Sequence, residues 1–166
     1  MPFPWQPGMR LTDGRMNEHL PVTRTKSATE ARTSTTVTAD SELSLTLGPG
    51  TWDVHIWLAF AGTATADSGI VGRWGLSSGL SLSGFRMVQG PAAGSSGATS
   101  INMRSSVNSA GTSIEYGAGS GFGAIEEWAL VVVPSSGTVT YEWGKAAAGA
   151  NAQVGVGSYM HAHRIA

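Results

Sequence analysis

The sequence predicts an all-β fold, a sandwich or barrel of antiparallel strands, and three observations carry that expectation. Short alternations of apolar and polar residues recur along the chain, about nine or ten of them. Gly- and Ser-rich stretches separate them, with 23 glycines among 166 residues, which suits tight turns. No segment sustains the 3.6-residue period of a long helix. Charged residues make up only 13% of the chain, about half the usual share, and Ser, Thr, Gly and Ala take their place. Such a surface suits a β protein partly covered by other subunits. The length fits one domain, able to bury a core without staples.

Residues 1–21 read as an N-terminal arm rather than part of the body. Residues 2–21, "PFPWQPGMRLTDGRMNEHLP", hold four of the seven prolines. One helical turn is expected within it, capped by Thr12 or Asp13 and stopped by Pro21. Residues 22–166 form the β domain. The Thr- and Ser-rich segment 22–38 reads as extended edge structure. In "SELSLTLG" (41–48), Leu43, Leu45 and Leu47 share one face. After the turn "GPG" (48–50), "TWDVHIWLAFAG" (51–62) sets Trp52, Val54, Ile56, Leu58 and Phe60 on one face, against Asp53, His55 and Trp57 on the other. These two segments read as the clearest hairpin. Further strands are expected at 69–76, 80–88, 98–105, 112–116, 122–133, 137–144 and 153–165. "VPSSGT" (133–138) reads as the turn of a second hairpin. "AAGSSGA" (92–98), "GAGSG" (117–121) and "KAAAGANA" (145–152) are loops whose side chains are too small to build a core.

Several function classes fall away on composition. A net charge of −1 and a pI of about 6.4 argue against nucleic-acid binding through phosphate neutralisation. Without cysteine there is no disulfide, thiolate nucleophile or thiolate metal site. The N-terminus lacks the apolar core of a signal peptide, and "WALVVV" (128–133) is too short to cross a bilayer. A soluble chain made in the cytosol, without membrane partner or cofactor, is the expectation.

Each chemical motif has a plainer structural reading. His161 and His163, two apart in "MHAHRI", share a strand face and are weak metal candidates; two polar residues on an outer or intersubunit face is the preferred reading. The adjacent Glu126 and Glu127 point to opposite faces, so they cannot act together across a sugar ring. Both are expected to be solvated or intersubunit carboxylates, with Asp53, Glu115 and Glu142 only nominal partners. "GAGSGFG" (117–123) lacks the glycine that a phosphate cradle needs, and "GLSSG" (75–79) lacks a strand–elbow–helix context. Among the tryptophans, Trp52 is expected in the core, and Trp128 buried beside Leu130 and Val132. Trp57, Trp74 and Trp143 are candidate glycan-stacking or interface aromatics, with subunit-interface burial preferred.

The stretch "WQPGMRLTDGRMN" (5–17) resembles the N-terminal segment of small structural proteins of tailed bacteriophages, especially those of actinobacteria, through Trp5, Gly8, Leu11, Thr12, Met16 and Asn17. The body is similar to the tumour necrosis factor-like jelly roll of such proteins, with "LGPGTWDVHIWLAFAG" (47–62) as the early hairpin and "VGSYMHAHRIA" (156–166) as the last strand. The resemblance implies a non-enzymatic virion protein, a homotrimer of jelly rolls whose arm docks on the major capsid protein or on a tail protein. Phe3, Trp5, Met9, Leu11 and Met16 would be the apolar anchors of that arm. Capsid decoration is the first expectation. A minor tail, baseplate or receptor-binding protein that binds host glycan is the second.

Overall fold

The computed structural model describes residues 20–62, 69–84, 86–92, 101–106, 109–117, 123–146 and 151–166, with the backbone alone over 101–106. Strands and their connections account for these residues, with no helix among them. In chain order the strands are β1 (Val22–Thr25), β2 (Glu30–Arg32), β3 (Thr38–Leu47), β4 (Gly50–Gly62), β5 (Gly69–Leu76), β6 (Ser81–Leu82) and β7 (Arg86–Pro91). After them come β8 (Ile101–Ser106), β9 (Ile114–Gly117), β10 (Gly123–Val133), β11 (Gly137–Lys145), β12 (Ala152–Val154) and β13 (Tyr159–Arg164).

The strands make two antiparallel sheets that face each other across one core, a β-sandwich. The larger sheet runs β1–β13–β4–β10–β7–β8, with β12 beside β2 and β4 and with β6 on β10. Several of its strands are interrupted halves of longer ones. β13 pairs Trp52–Trp57 of β4 and β12 pairs Phe60–Gly62 of the same edge, while β1 and β2 lie outside them in the same way. The break in the expected strand 153–165 is bridged by Ser158, whose hydroxyl donates to the Gly155 carbonyl (2.8 Å) and accepts the Ala59 amide (3.0 Å). The expected strand 80–88 is divided into β6 and β7. The smaller sheet runs β3–β11–β5–β9.

Alternation built these strands as the sequence reading required. Leu43, Leu45 and Leu47 of β3 and Trp52, Val54, Ile56, Leu58 and Phe60 of β4 are all buried. The two expected hairpins, however, are absent. β3 belongs to the smaller sheet and pairs β11, whereas β4 belongs to the larger and pairs β10 and β13. The same holds at residues 133–138, where β10 and β11 lie in different sheets. Both connections are corners that carry the chain from one layer to the other, across the ~10 Å between packed sheets. Periodicity says which face of a strand is buried; it does not say which strand supplies its hydrogen bonds. At the first corner Gly50 has a φ of +145°, and a Cβ there would sit 2.5 Å from the Ala166 carbonyl oxygen. The C-terminus closes over this corner, with Thr51 N–H donating to that same oxygen at 2.7 Å.

Candidate functional site

Two polar clusters pin the sheets together from inside. In the first, Glu127 of β10 is completely buried. Its Oε1 accepts the hydroxyls of Tyr116 (2.7 Å) and Tyr141 (3.0 Å), and its Oε2 accepts the Trp74 indole N–H (2.7 Å). Arg86, also completely buried, sets its Nε 3.1 Å from Oε2, an ion pair whose alignment falls short of a hydrogen bond. Its Nη1 donates to the Ala110 carbonyl at 3.1 Å. Glu127 and Arg86 come from the larger sheet; Trp74, Tyr116 and Tyr141 come from the smaller.

In the second cluster Lys26, just after β1, donates to both oxygens of Asp40 (2.9 and 2.8 Å) and to Glu30 (2.9 Å). Asp40 also accepts the Trp143 indole (2.8 Å) and the amides of Glu42 and Leu43. Burial pushes the Asp40 carboxyl up, but the bonds from Lys26, the Glu42 amide and Trp143 outweigh it and hold it below the usual carboxylate range. Burial likewise pushes Lys26 down, and its bonds to Asp40 and Glu30 reverse that and raise it. Burial, then the neighbouring Glu127 charge, raises the Tyr116 and Tyr141 hydroxyls far above the usual phenol range. In both clusters protein donors occupy the carboxylate oxygens, which leaves them no part as a general base. The clusters hold the sandwich.

These clusters correct three expectations. Trp74 and Trp143 are 1% and 0% exposed, with their indole N–H groups spent on Glu127 and Asp40, so neither can stack on a glycan or meet a partner. Arg32 also lies over the Trp143 ring, 4.0 Å from its centroid. Glu127 is a core carboxylate rather than a solvated one. Trp128 shares a face with Leu130 and Val132 as expected, but that face is the outer one, where it is only half-buried.

The outer faces of the two sheets differ sharply. On the smaller sheet, Ser44 and Thr46 of β3 face out beside Thr138, Thr140 and Glu142 of β11 and Arg73 of β5. On the larger sheet, register lines up aromatic and imidazole side chains. One row crosses Tyr159, Trp57, Glu126 and Gln89; the next crosses Thr23, His161, His55, Trp128 and Met87. Trp57 stacks on Tyr159, with centroids 6.0 Å apart and planes 18° from parallel. His55 sits edge-on between Tyr159 (5.9 Å) and Trp128 (6.2 Å). The four rings form one zigzag across β10, β4 and β13, continued by exposed Leu130. This face is the candidate functional site.

Of the predicted site residues, the structure brings Trp57 to this face together with His161 and His163. The two histidines stand opposite His55 and Asp53 on β4. His161 Nδ1 lies 3.2 Å from the Thr23 hydroxyl, and among the described residues no three His, Asp or Glu side chains converge as a metal site. Phe3, Trp5, Met9, Leu11 and Met16, with the helical turn expected near them, lie outside the described residues. Tyr159 and Met87 escape the sequence because only cross-strand register joins them to Trp57, whereas His55 shares the face of Trp57 on β4 by alternation. No protein-family model matches the chain, and no curated protein matches it.

Proposed function

We propose that the chain is a non-enzymatic structural protein of a tailed-bacteriophage virion, a capsid decoration protein. In this reading it assembles as a homotrimer of tumour necrosis factor-like jelly rolls, clamped to the major capsid protein by residues 1–21. Strand pairing supports the jelly roll. In that fold eight strands pair first with last, second with seventh, third with sixth and fourth with fifth. Here β1/β2 pairs β12/β13, β3 pairs β11, β4 pairs β10 and β5 pairs β9, with β6, β7 and β8 inserted between the fourth and fifth strands.

The observation that carries the assembly is the contrast between the two outer faces. Ser, Thr and an ion pair suit water, and they cover the smaller sheet. Trp57, Tyr159, Trp128, Met87 and Leu130 gather on the larger one, in the composition that marks the centre of protein interfaces. A copy-to-copy contact that closes on itself, as a threefold ring does, covers this face without leaving a sticky end. Because Trp57 and Tyr159 turn ring faces toward each other, a flat stacking platform for sugar is not what they present.

Two measurements test the reading. Sedimentation should give a trimer for the chain and a monomer for Tyr159→Asp, which puts a charge in the aromatic row. A wild-type monomer would remove the assembly. Electron microscopy of particles labelled against this protein should show label over the whole shell, lost when residues 1–20 are deleted although the truncated chain still trimerises. Label confined to the tail tip would overturn decoration in favour of a tail or baseplate role.

A further inference from the structure

We propose that the cleft between the β5–β6 connection and the 109–111 turn binds a neutral, polyhydroxylated ring, the chemistry of a single hexose-type sugar unit. The site is separate from the aromatic face, and the inference stands wherever on the particle the chain is carried.

The cleft exists because a strand pair ends early. β9 accompanies β5 only as far as Gly72, and beyond it the turn at 109–111 replaces a strand, with the Ala110 carbonyl taking the Trp74 N–H at 3.1 Å. The opening that results measures about 480 Å³, within the range of about 300–1,000 Å³ common for small-ligand sites. Its wall carries an ion pair, Arg73 Nε to Glu142 Oε2 at 2.6 Å, with the two side chains 38% and 23% exposed. Gly75 makes room for this pair: a Cβ there would meet Glu142 Oε1 at 2.6 Å, so the carboxylate lies across a strand position without a side chain.

The character of the wall selects the ligand. Among the described residues the ion pair engages one nitrogen of Arg73 and one oxygen of Glu142, leaving the other guanidinium donors and Oε1 to a ligand. The pair sums to zero charge, so neither a phosphate nor an ammonium group meets an uncompensated partner. Adjacent hydroxyls on a ring can donate to the carboxylate while accepting from the guanidinium, the bidentate match that a fixed Arg–carboxylate pair offers. Leu76 and Leu80 line the same cleft and suit the C–H face of such a ring, and Ser81 and Ser109 add hydroxyls. Trp74 lends only its strand position, since its indole is turned inward to Glu127. Without an aromatic stack the affinity belongs in the range of about 0.1–10 mM.

Saturation-transfer NMR on the full chain tests this, with the methyl glycosides of glucose, galactose, mannose and N-acetylglucosamine as probes. At least one should receive saturation from the protein, with a Kd weakened tenfold or more by Glu142→Gln. Gly111→Phe provides an independent check. Space around that position is open, so the new ring would fill the cleft mouth without touching the core, and binding should disappear from a chain of unchanged stability. Trp57→Ala on the far sheet should leave binding intact. Absence of transfer to all four probes would overturn the proposal. So would binding that survives both cleft variants yet is lost in Trp57→Ala, which would move the sugar to the aromatic face.

Discussion

Replacing Glu127 with Ala should destabilise the protein by about 3–5 kcal/mol, the cost of leaving one member of a buried ion pair without the other. Removing that carboxylate takes the counter-charge from Arg86 and the acceptor from the hydroxyls of Tyr116 and Tyr141 and the indole N–H of Trp74. Folded domains hold only about 5–15 kcal/mol in total, so the urea midpoint should fall steeply, at an unchanged slope if the folded state is otherwise preserved. Glu127→Gln should fall between wild type and Ala. Its oxygen keeps the Trp74 bond and its amide can donate to the tyrosine oxygens, but the charge facing Arg86 and the acceptor of the two tyrosine O–H groups are both lost. A midpoint for Glu127→Ala within experimental error of wild type would mean that the cluster does not join the two sheets.

That cluster also marks where the sequence was readable and where it was not. The buried faces of β3 and β4 were legible, since strict alternation leaves only one apolar side. The burial of Trp143 was legible too: Val139, Tyr141 and Trp143 alternate with Thr138, Thr140 and Glu142. Its aromatic character drew attention toward binding and away from this pattern. Trp74 was harder, because glycines at 72 and 75 blur the contrast between the two faces of β5. Glu127 could not have been assigned locally. Both faces of β10 carry apolar residues, Ile125, Ala129 and Val131 on one and Trp128, Leu130 and Val132 on the other. A carboxylate becomes tolerable inside only because donors arrive from β5, β9 and β11. The corners were misread for a related reason: a short turn between two strands fits a hairpin and a sheet-to-sheet crossing alike. Sheet membership is decided by pairing with β10, β11 and β13, about 60–110 residues downstream. The aromatic row has the same origin, being a property of register between three strands and of no single segment.

The protein should lose stability sharply on the alkaline side, beginning near pH 10. Tyr116 and Tyr141 keep their protons in the fold to well above the pH at which free tyrosine ionises, about 10. Lys26 is raised as well, from an ordinary value of 10.5. For groups with raised folded pKa values, the stabilisation is complete below the unfolded pKa and is lost as pH rises beyond it, because the unfolded chain then releases protons that the folded chain must keep. Each such proton removes about 1.4 kcal/mol per pH unit, so two tyrosines and a lysine together remove about 4 kcal/mol per unit once all three are engaged. On the acid side the sign is opposite. Asp40, Glu30 and Glu42 are depressed, so their contribution is present above the usual carboxylate range and fades as pH falls below about 4. Three depressed carboxylates at the acid end and three raised groups at the alkaline end give a profile flat from about pH 5 to 9.5 that falls on both sides. Urea midpoints across pH should trace that shape, and Tyr116→Phe/Tyr141→Phe should remove about two-thirds of the alkaline slope, leaving the share of Lys26. The chain has three tyrosines, and the tyrosinate absorbance of the two buried ones should rise only together with unfolding. Full tyrosinate absorbance in a chain that still shows its folded circular dichroism would overturn the prediction, because both hydroxyls would then be losing protons inside the intact sandwich.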